Sequence, residues 1–446
     1  MKLNGGRKRL LYPWPGGSAA IFGASWNKGS SPVLARTDEA AGMVAAAGVG
    51  STPVTNHFDG AEIFGEIAEV TDAFGNVFIR IPRFYIEKTD GVGYKTWRVC
   101  KKPFGNAYLP KCFWDFTNGR PLPYIDVGKY LASISAGNMQ SIPGVYPTIN
   151  QNIVQFRTAA QANGAGYQQL DIHVVDVLQT LFYIEFATLH SQAIMAGFTT
   201  GQFNAAHTAT VAENNANRII VANATANLYA VGQAISVGTT LGGNQIFYGR
   251  TITSIDVYDG ANKALSFDGA AVNIAVGNIL YNTGWLNDFS GWIAASSGSL
   301  VSNSSGLYPC HYRGIENPWG NVWQFIDGIN INERQAWVCP DADDYASNLF
   351  ASPYEQLSYV NHNVDGYVTA MGWDASRPYA ALPTAVGGGA TTYYGDYYYQ
   401  TTGQRIALLG GNWYSGASAG LSFWHLSSAS SGANLSFGAR LLRKAL

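Results

Sequence analysis

The sequence predicts an α+β protein that is rich in β-strands and loops. Charged residues make up only 13% of the chain, aromatic residues another 13%, and glycine accounts for 51 of the 446 residues. A helical bundle carries more charge on its solvent-facing surfaces, since charged residues average about a quarter of a globular chain. Short strand-like runs bounded by Gly, Asn and Asp recur along the sequence. A chain of this length predicts two or three domains.

The residues up to 155 are predicted to form two parts. Residues 1–60 are rich in Gly, Ala and Pro and predict an arm or connector, with one short helix at residues 38–47. Residues 61–155 predict a β-rich region. Its best strands lie at residues 77–88, where Pro82 indicates an edge or bulge, and at residues 94–99 and 123–130.

Two helices and a further β-rich segment follow. Residues 156–163 predict a short helix, and residues 170–195 predict a long one that ends at Gly197. The spacing of His173, Glu185 and His190 along the long helix does not match H-E-x-x-H, so we interpret them as packing or surface residues. Residues 200–285 contain short β-runs and predict a small β domain inserted into a host domain at residues 156–199 and 286–446.

Bulk charge and apolar content exclude several partners. The net charge of −2 and the pI of about 6.4 give no general attraction for nucleic acid, and the basic cluster at residues 7–9 is interpreted as a solvated end. We expect no signal peptide, because residues 1–6 lack an apolar segment, and no membrane span, because no apolar run is long enough. We therefore expect synthesis in the cytoplasm, no membrane insertion, and either retention there or assembly into a larger particle such as a virion.

Cysteine spacing predicts no structural zinc site. Cys100, Cys112, Cys310 and Cys339 form no C-x-x-C pair, and buried free thiols are the favoured interpretation. Bridges between Cys100 and Cys112, or between Cys310 and Cys339, remain the alternative in an oxidising compartment.

Residues 406–439 form the most informative segment because they contain no Asp, Glu, Lys or Arg. Ser, Gly, Ala and a few aromatic residues fill it instead. Antibody binding loops share this composition, since aromatic rings supply contact area at low entropic cost while Ser and Asn adapt their hydrogen bonds. The segment therefore predicts a binding surface rather than a catalytic centre.

Catalytic and metal-binding signatures are weak. The sequence at residues 416–420 fits G-x-S-x-G, but no helix is predicted after Ser418, as a nucleophile elbow requires. Asp341, Asp343 and Asp344 are interpreted as an acidic surface loop rather than a cation site. We therefore predict no catalytic residue, no cofactor and no obligatory metal.

Three motifs carry a resemblance to a known family. The segment ENPWGNVWQF at residues 316–325 resembles a strand of the formylglycine-generating-enzyme branch of C-type lectin folds. LGGNW at residues 409–413 and GARLLR at residues 438–443 resemble the boundaries of the variable segment in diversity-generating-retroelement target proteins, which include tropism-determinant-like phage receptor-binding tail proteins. The resemblance covers residues 155–200 and 286–446. It implies that the discontinuous host domain is a C-type lectin-type ligand-binding domain.

The family's codon rule gives one check on this resemblance. Adenine mutagenesis of Asn codons leaves codons that never encode Trp, Gln, Lys, Glu or Met, and between residues 412 and 437 only Trp413 and Trp424 lie outside the permitted set. Both would then be fixed scaffold that points inward. The expected structural anchors are Trp319, Trp323, Trp413, Trp424 and Arg440. The expected ligand-binding residues are Asn412, Tyr414, Ser415, Ser418, Ser422, Phe423, His425 and Ser436.

The resemblance implies a phage or prophage receptor-binding protein at the tip of a tail fibre. Its expected partners are a host-surface protein or glycan and other virion tail proteins, and a homotrimer is expected. Two alternatives remain open at the sequence level. One is an oxidase of the formylglycine-generating class, although residues 406–446 contain no cysteine. The other is a bacterial adhesin or carbohydrate-binding protein.

Overall fold

The protein is described here by a computed structural model of residues 19–446. The predicted basic end at residues 7–9 and the first part of the predicted arm lie outside the described residues. The chain is strand-rich, with 39% strand and 12% helix, which confirms the β-rich composition. Among the helices of residues 19–446, none is both long enough and apolar enough to cross a membrane.

The strands before the first helix are short and mostly antiparallel. They are β1 (Ile21–Asn27), β2 (Ala35–Asp38), β3 (Gly48–Val49), β4 (Ala68–Thr71), β5 (Val77–Pro82), β6 (Tyr85–Gly91), β7 (Tyr94–Cys100), β8 (Trp114–Asp115), β9 (Arg120–Pro121), β10 (Tyr124–Gly128), β11 (Ser133–Ser135) and β12 (Asn138–Gln140). The predicted strands at residues 94–99 and 123–130 correspond to β7 and β10. The predicted strand at residues 77–88 is two strands, since Pro82 ends β5.

Two helices flank a short strand. They are α1 (Ile153–Gln161) and α2 (Ile172–Phe186), with β13 (Tyr167–Gln169) between them. Asn152 caps α1, because its side chain accepts from the Gln155 N–H while the Gln155 side chain accepts from the Asn152 N–H. Helix α2 is shorter than predicted, because Ala187 adopts a left-handed conformation (φ 51°) that ends it.

The segment predicted as an insertion has its own strands and its own core. Its elements are β14 (Ala209–Val211), β15 (Glu213–Ala216), β16 (Arg218–Ala222), α3 (Asn223–Ala226), β17 (Ala234–Thr240), β18 (Gly243–Val257), β19 (Asn262–Phe267), β20 (Val272–Ile274) and β21 (Ile279–Asn282). One hydrophobic cluster contains only residues between Ala209 and Leu280. No strand of this segment pairs with a named strand outside it, within the described chain.

The remaining strands build the largest sheet and close the fold. They are β22 (Gly298–Ser299), β23 (Cys310–Tyr312), β24 (Ile315–Glu316), β25 (Trp323–Asn332), β26 (Gln335–Val338), β27 (Glu355–Val360), β28 (Gly366–Met371), β29 (Pro383–Val386), β30 (Tyr397–Gln400), β31 (Gln404–Gly410), β32 (Gly420–Leu426), β33 (Phe437–Gly438) and β34 (Leu441–Lys444). Short 3-10 helices occupy His57–Gly60, Phe64–Glu66, Lys111–Phe113, Ser191–Ala193, Ser290–Trp292, Ala342–Asp344 and Gly416–Ser418.

Three sheets matter for the site. The largest has the order β27-β26-β25-β31-β32-β30-β28-β29, with β33 pairing to β25. A second has the order β2-β1-β7-β6, and a third has the order β13-β34-β10-β5-β4. The third sheet joins strands of residues 68–128 to the C-terminal strand, so the predicted division at residue 155 is not a boundary between separate sheets.

The prediction of an N-terminal arm is wrong for residues 19–60. Strand β1 lies between β2 and β7 in the second sheet, and Phe22 and Trp26 are buried in the main core. The predicted helix at residues 38–47 is a series of turns, because Asp38 (φ 53°) and Gly42 (φ 77°) adopt left-handed conformations that interrupt a helix. Alternating apolar residues, rather than the Gly and Ala content, decided the conformation of this segment.

Candidate functional site

The predicted binding segment forms strand β32 and the turn before it. Strand β32 lies between β31 and β30, so it is an interior strand of the largest sheet. Helix α2 and other residues of the main hydrophobic core pack against one face of this sheet. Helix α1 contributes Ile153 and Phe156 to the cluster on the other face. Alternation along β32 therefore directs Ser422 and Trp424 toward the main core, and Phe423 and His425 toward the other face, which helix α1 covers only in part.

The five predicted anchors are all buried. Trp319, Trp413 and Trp424 have no exposed surface, and Trp323 is 5% exposed. The Trp319 indole donates to the Met195 carbonyl at 3.0 Å. Trp424 packs in the main core, whereas Trp413 packs in a separate cluster with Phe198 and Trp285. The two indoles therefore hold opposite ends of the 413–424 turn against different parts of the protein.

Arg440 connects the C-terminal segment to two other loops. Its guanidinium donates to the carbonyls of Gly128, Lys129, Glu316 and Asn317 and to the side-chain oxygen of Gln324, at 2.7–3.1 Å. Burial lowers the pKa of Arg440, and the Glu316 carboxylate opposes this shift. The ENPWGNVWQF and GARLLR motifs are thus in direct contact, and both have a structural role.

Four of the predicted ligand-binding residues are buried, and their assignment to the exposed surface is wrong. They are Asn412, Ser422, Phe423 and Ser436, with exposures of 2%, 0%, 1% and 1%. Each polar member already has partners within the fold. Ser422 illustrates this, because its hydroxyl lies 2.7 Å from the Tyr183 hydroxyl and its N–H donates to Asp396. The amino-acid composition of the segment could not distinguish buried serines that hydrogen-bond within the fold from serines exposed to solvent.

The remaining predicted residues reach solvent. Tyr414 is 41% exposed, and Ser415, Ser418 and His425 are half-buried. Asn412 supports this turn from inside, since its side-chain oxygen accepts from the Tyr414 N–H at 3.1 Å and from the Ser415 hydroxyl at 2.9 Å. Asn412 is therefore a positioning residue for the exposed turn.

The structure adds neighbours from a second strand that are not among the predicted ligand-binding residues. Strand β30 runs parallel to β32, with Tyr399 opposite His425 and Tyr398 opposite Trp424. Because side chains alternate along a strand, Tyr397 and Tyr399 share the face of His425, while Tyr398 is buried on the other face. The i, i+2 spacing of these tyrosines was the available signal.

Aromatic rings form a continuous group on this face. Phe423 is buried beneath this group, and its ring centroid lies 4.5 Å from that of Trp323 and 5.6 Å from that of Tyr399. The Tyr399 ring lies 5.7 Å from His425 and 5.0 Å from Tyr397. We name the solvent-reaching members of this group and the nearby turn tyrosine the aromatic surface: Tyr367, Tyr397, Tyr399, Tyr414 and His425.

Tyr414 links the aromatic surface to the inserted segment. Its ring stacks on Phe203 with a centroid distance of 5.3 Å and an interplanar angle of 18°. Burial, followed by the neighbouring Tyr397, Asp365, Tyr367 and Tyr414, raises the pKa of Tyr399. The tyrosines are therefore close enough to influence one another, and the raised pKa keeps the Tyr399 hydroxyl neutral at physiological pH.

Asp396 explains the glycine at position 420. This carboxyl is fully buried, and one of its oxygens accepts from the Ser422 N–H at 2.6 Å. A Cβ at Gly420 would collide with the Asp396 carboxyl. Strand β32 follows the 3-10 turn Gly416–Ser418, so the G-x-S-x-G match does not lie between a strand and a helix. Close packing against Asp396 therefore explains why the last position of this match, Gly420, is a glycine.

The cysteines lie apart from the aromatic surface. All four are free and buried, and Cys310 and Cys339 belong to different hydrophobic clusters. Burial raises the pKa of both thiols, to about 12 for Cys339. Neutral thiols are poor nucleophiles and metal ligands. Within residues 19–446, no group of three or more His, Cys, Asp or Glu side chains is arranged to hold a metal ion.

His425 gives the aromatic surface a pH-dependent stability. Burial lowers the pKa of His425 from 6.5 to about 4, so the folded protein holds this imidazole neutral. The unfolded chain takes up a proton below pH 6.5, and stability is therefore lost as the pH falls from 6.5 toward 4. His425→Phe keeps an aromatic ring without titration. We expect chemical denaturation to show that the parent loses about 3 kcal/mol more stability than the variant when the pH is lowered from 7 to 4.

Parallel pH-dependent losses in the two proteins would contradict this assignment. His173, His190 and His207 also have lowered pKa values, each with burial as the largest cause. Their contribution is present in both proteins and cancels in the difference. The comparison therefore isolates His425.

Comparisons with known proteins add no family to this description. The chain matches no protein-family model and no curated protein.

Proposed function

We propose that this chain is a binding protein that uses the aromatic surface to contact a partner. One observation carries the proposal: Tyr414, within the charge-free residues 406–439, and Tyr399, on the strand paired with them, are 41% and 38% exposed. Tyrosine combines a large rigid contact area with a hydroxyl that adapts to different partners. Rings exposed on a packed sheet are preorganised, so little entropy is lost on binding.

The scaffold beneath the aromatic surface supports this proposal. Trp413, Trp424 and Arg440 are buried, and the Trp413 ring packs at a steep angle against the exposed Tyr414 ring, with a centroid distance of 5.5 Å. Substitutions at exposed positions usually change stability by no more than about 0.5 kcal/mol. The exposed Tyr414 can therefore change without loss of the fold, whereas changes at the buried Ser422 and Phe423 would disturb the packing beneath the surface.

In our proposal the fold is a C-type lectin-type domain of the formylglycine-generating branch, and the protein is a phage or prophage receptor-binding tail protein. The support is the resemblance of the motifs at residues 316–325, 409–413 and 438–443, of which the first and the third are in contact through Arg440. The proposed partner is a protein or glycan of the bacterial surface. A reverse transcriptase gene and a near-copy of the coding segment for residues 412–443 nearby in the genome would support diversification.

Removing two rings tests the proposed binding. The labelled chain is incubated with a panel of intact bacterial strains, and Tyr399→Ala with Tyr414→Ala is compared with the parent. Aromatic residues at the centre of an interface often contribute about 2 kcal/mol each, which is about thirtyfold in affinity, so we expect attachment of the double variant to fall by about thirtyfold to a thousandfold. Protease treatment and periodate oxidation of the cells distinguish a protein receptor from a glycan receptor.

The control removes two tyrosines elsewhere. Tyr94 and Tyr258 are similarly exposed, at 43% and 40%, and lie in the second sheet and after strand β18. Tyr94→Ala with Tyr258→Ala should leave attachment unchanged. Equal attachment of both double variants, with unchanged melting temperatures, would refute the role of the aromatic surface.

A further inference from the structure

A cavity lies away from the aromatic surface and shares no residue with it. Its volume is about 340 Å³, and it is lined by strand β8 and the residues after it, the turn between α1 and β13, the 3-10 turn Ala342–Asp344, and the end of β34. Gly164 and Gly166 have positive φ angles, and they turn the chain around one side of it. Small-molecule sites in proteins have volumes of roughly 300 Å³ and above.

Aromatic rings form the apolar part of the lining. Trp114, Phe116 and Tyr167 all line the cavity and are half-buried. The Tyr167 ring is held in place, because its hydroxyl donates to Asp72 at 2.8 Å and its edge packs against Phe74. These side chains offer ring surface to a ligand without large rearrangement.

Lys444 contributes a nearly buried cation without an ion-pair partner. The residue is 9% exposed, and its ammonium lies 5.9 Å from the centroid of the Phe116 ring. It forms an ion pair with none of the carboxylates in the described part of the chain. A largely buried ammonium at a cavity wall without such a partner favours a ligand that supplies hydrogen-bond acceptors.

Carboxylates supply the complementary acceptors. Asp341 and Asp343 line the same cavity, and Asp343 is exposed while the Asp341 side chain accepts from the Asp343 N–H at 3.2 Å. Burial raises the pKa of Asp341, and the Lys444 ammonium is among the groups that oppose this shift. A ligand in the cavity would therefore meet a cation and carboxylates together. A ligand with net charge of either sign would encounter repulsion from one of them.

We propose that this cavity binds a neutral saccharide of one or two rings. Sugar hydroxyls both donate and accept, so they can accept from Lys444 and donate to Asp341 and Asp343 at once. The C–H face of a sugar ring is apolar and packs against aromatic side chains such as Trp114. This site is independent of the binding proposed for the aromatic surface.

Saturation-transfer NMR on the intact chain tests the proposal. The probes are the methyl glycosides of glucose, galactose, mannose and N-acetylglucosamine, together with maltose and lactose. We expect at least one probe to bind, and we expect Trp114→Ala and Asp343→Asn each to weaken its binding at least tenfold. Asp343 is exposed, so Asp343→Asn should remain folded. It therefore tests the proposal even if Trp114→Ala does not fold.

The matched controls are Trp292→Ala and Asp256→Asn, which alter an exposed tryptophan and an exposed aspartate outside the cavity. They should bind the probe as the parent does. The Tyr399→Ala, Tyr414→Ala variant should also keep saccharide binding, which makes failure of this site distinguishable from failure of the aromatic surface. Absence of binding by every probe, binding of glucuronate or sialic acid alone, or binding that Asp343→Asn leaves unchanged would overturn the proposal.

Discussion

Arg440→Leu is expected to abolish folding or to lower the free energy of unfolding by at least about 5 kcal/mol. The guanidinium supplies hydrogen bonds to four backbone carbonyls and to Gln324. Leucine would leave these buried acceptors without donors, and each unsatisfied acceptor costs about 1–3 kcal/mol. The whole stability of a domain is commonly only about 5–15 kcal/mol. Soluble yield, circular dichroism and urea denaturation measure the effect.

Two controls define what Arg440 contributes. Arg440→Lys keeps the charge with fewer donors, so we expect a smaller loss than with leucine. Arg218→Leu removes an exposed ion pair with Glu213 and should cost no more than about 1 kcal/mol. If Arg440→Leu unfolds at the urea concentration of the parent, the contact between the two motifs does not hold the C-terminal segment in place.

Arg313→Leu is expected to destabilise the protein by about 3–5 kcal/mol. The Arg313 guanidinium makes a two-point contact with Glu185 at 2.7 and 2.8 Å, and both side chains are almost fully buried. Removing the cation leaves the Glu185 carboxylate buried without its two-point partner, although the Asn56 amide still donates to it at 2.7 Å and the Arg36 guanidinium lies nearby. Guanidinium chloride denaturation compares the variant with the parent.

The double variant Arg313→Leu, Glu185→Leu separates the ion pair from general damage. Replacing both charges removes the uncompensated carboxylate, so the double variant should be more stable than Arg313→Leu by about 1 kcal/mol or more. A double variant less stable than the single one would contradict this account. Arg313 also contacts Asp59 and the Phe64 carbonyl. Its loss therefore tests whether residues 56–64 belong to the main fold rather than to an arm.

Local patterns predicted many elements but not all of their ends. Alternation predicted β7 and β10. Helical spacing predicted α1 and α2, but α2 is buried along its whole length, so periodicity could not indicate where it stops. The left-handed Ala187 ends it, and that conformation depends on tertiary contacts such as the Leu34 N–H donating to the Ala187 carbonyl at 2.9 Å. The residue types near Ala187 give no sequence signal for the end of the helix.

The candidate site was only partly predictable. The charge-free segment and the tryptophans directed attention to residues 406–439, and Tyr414 does reach solvent. Ser422 and Phe423 were assigned to the exposed surface because small polar and aromatic residues are common there. Ser422 is buried because helix α2 packs on its face of the sheet, and Phe423 is buried because the rings of Trp323 and Tyr399 pack against it. Tyr399 completes the surface from a different strand, through the pairing of β30 with β32.

The sequence by itself determined the strand-rich composition, the absence of charge in residues 406–439, and the residues that can form strands and helices, because these depend on side-chain chemistry and local spacing. Only the tertiary structure decided which of those residues are exposed to solvent and which are buried with hydrogen-bond partners inside the fold. Exposure depends on what packs against a strand from distant parts of the chain, and no local pattern carries that information. The same physical reason explains why Lys444 and Trp114, 330 residues apart in the sequence, line one cavity.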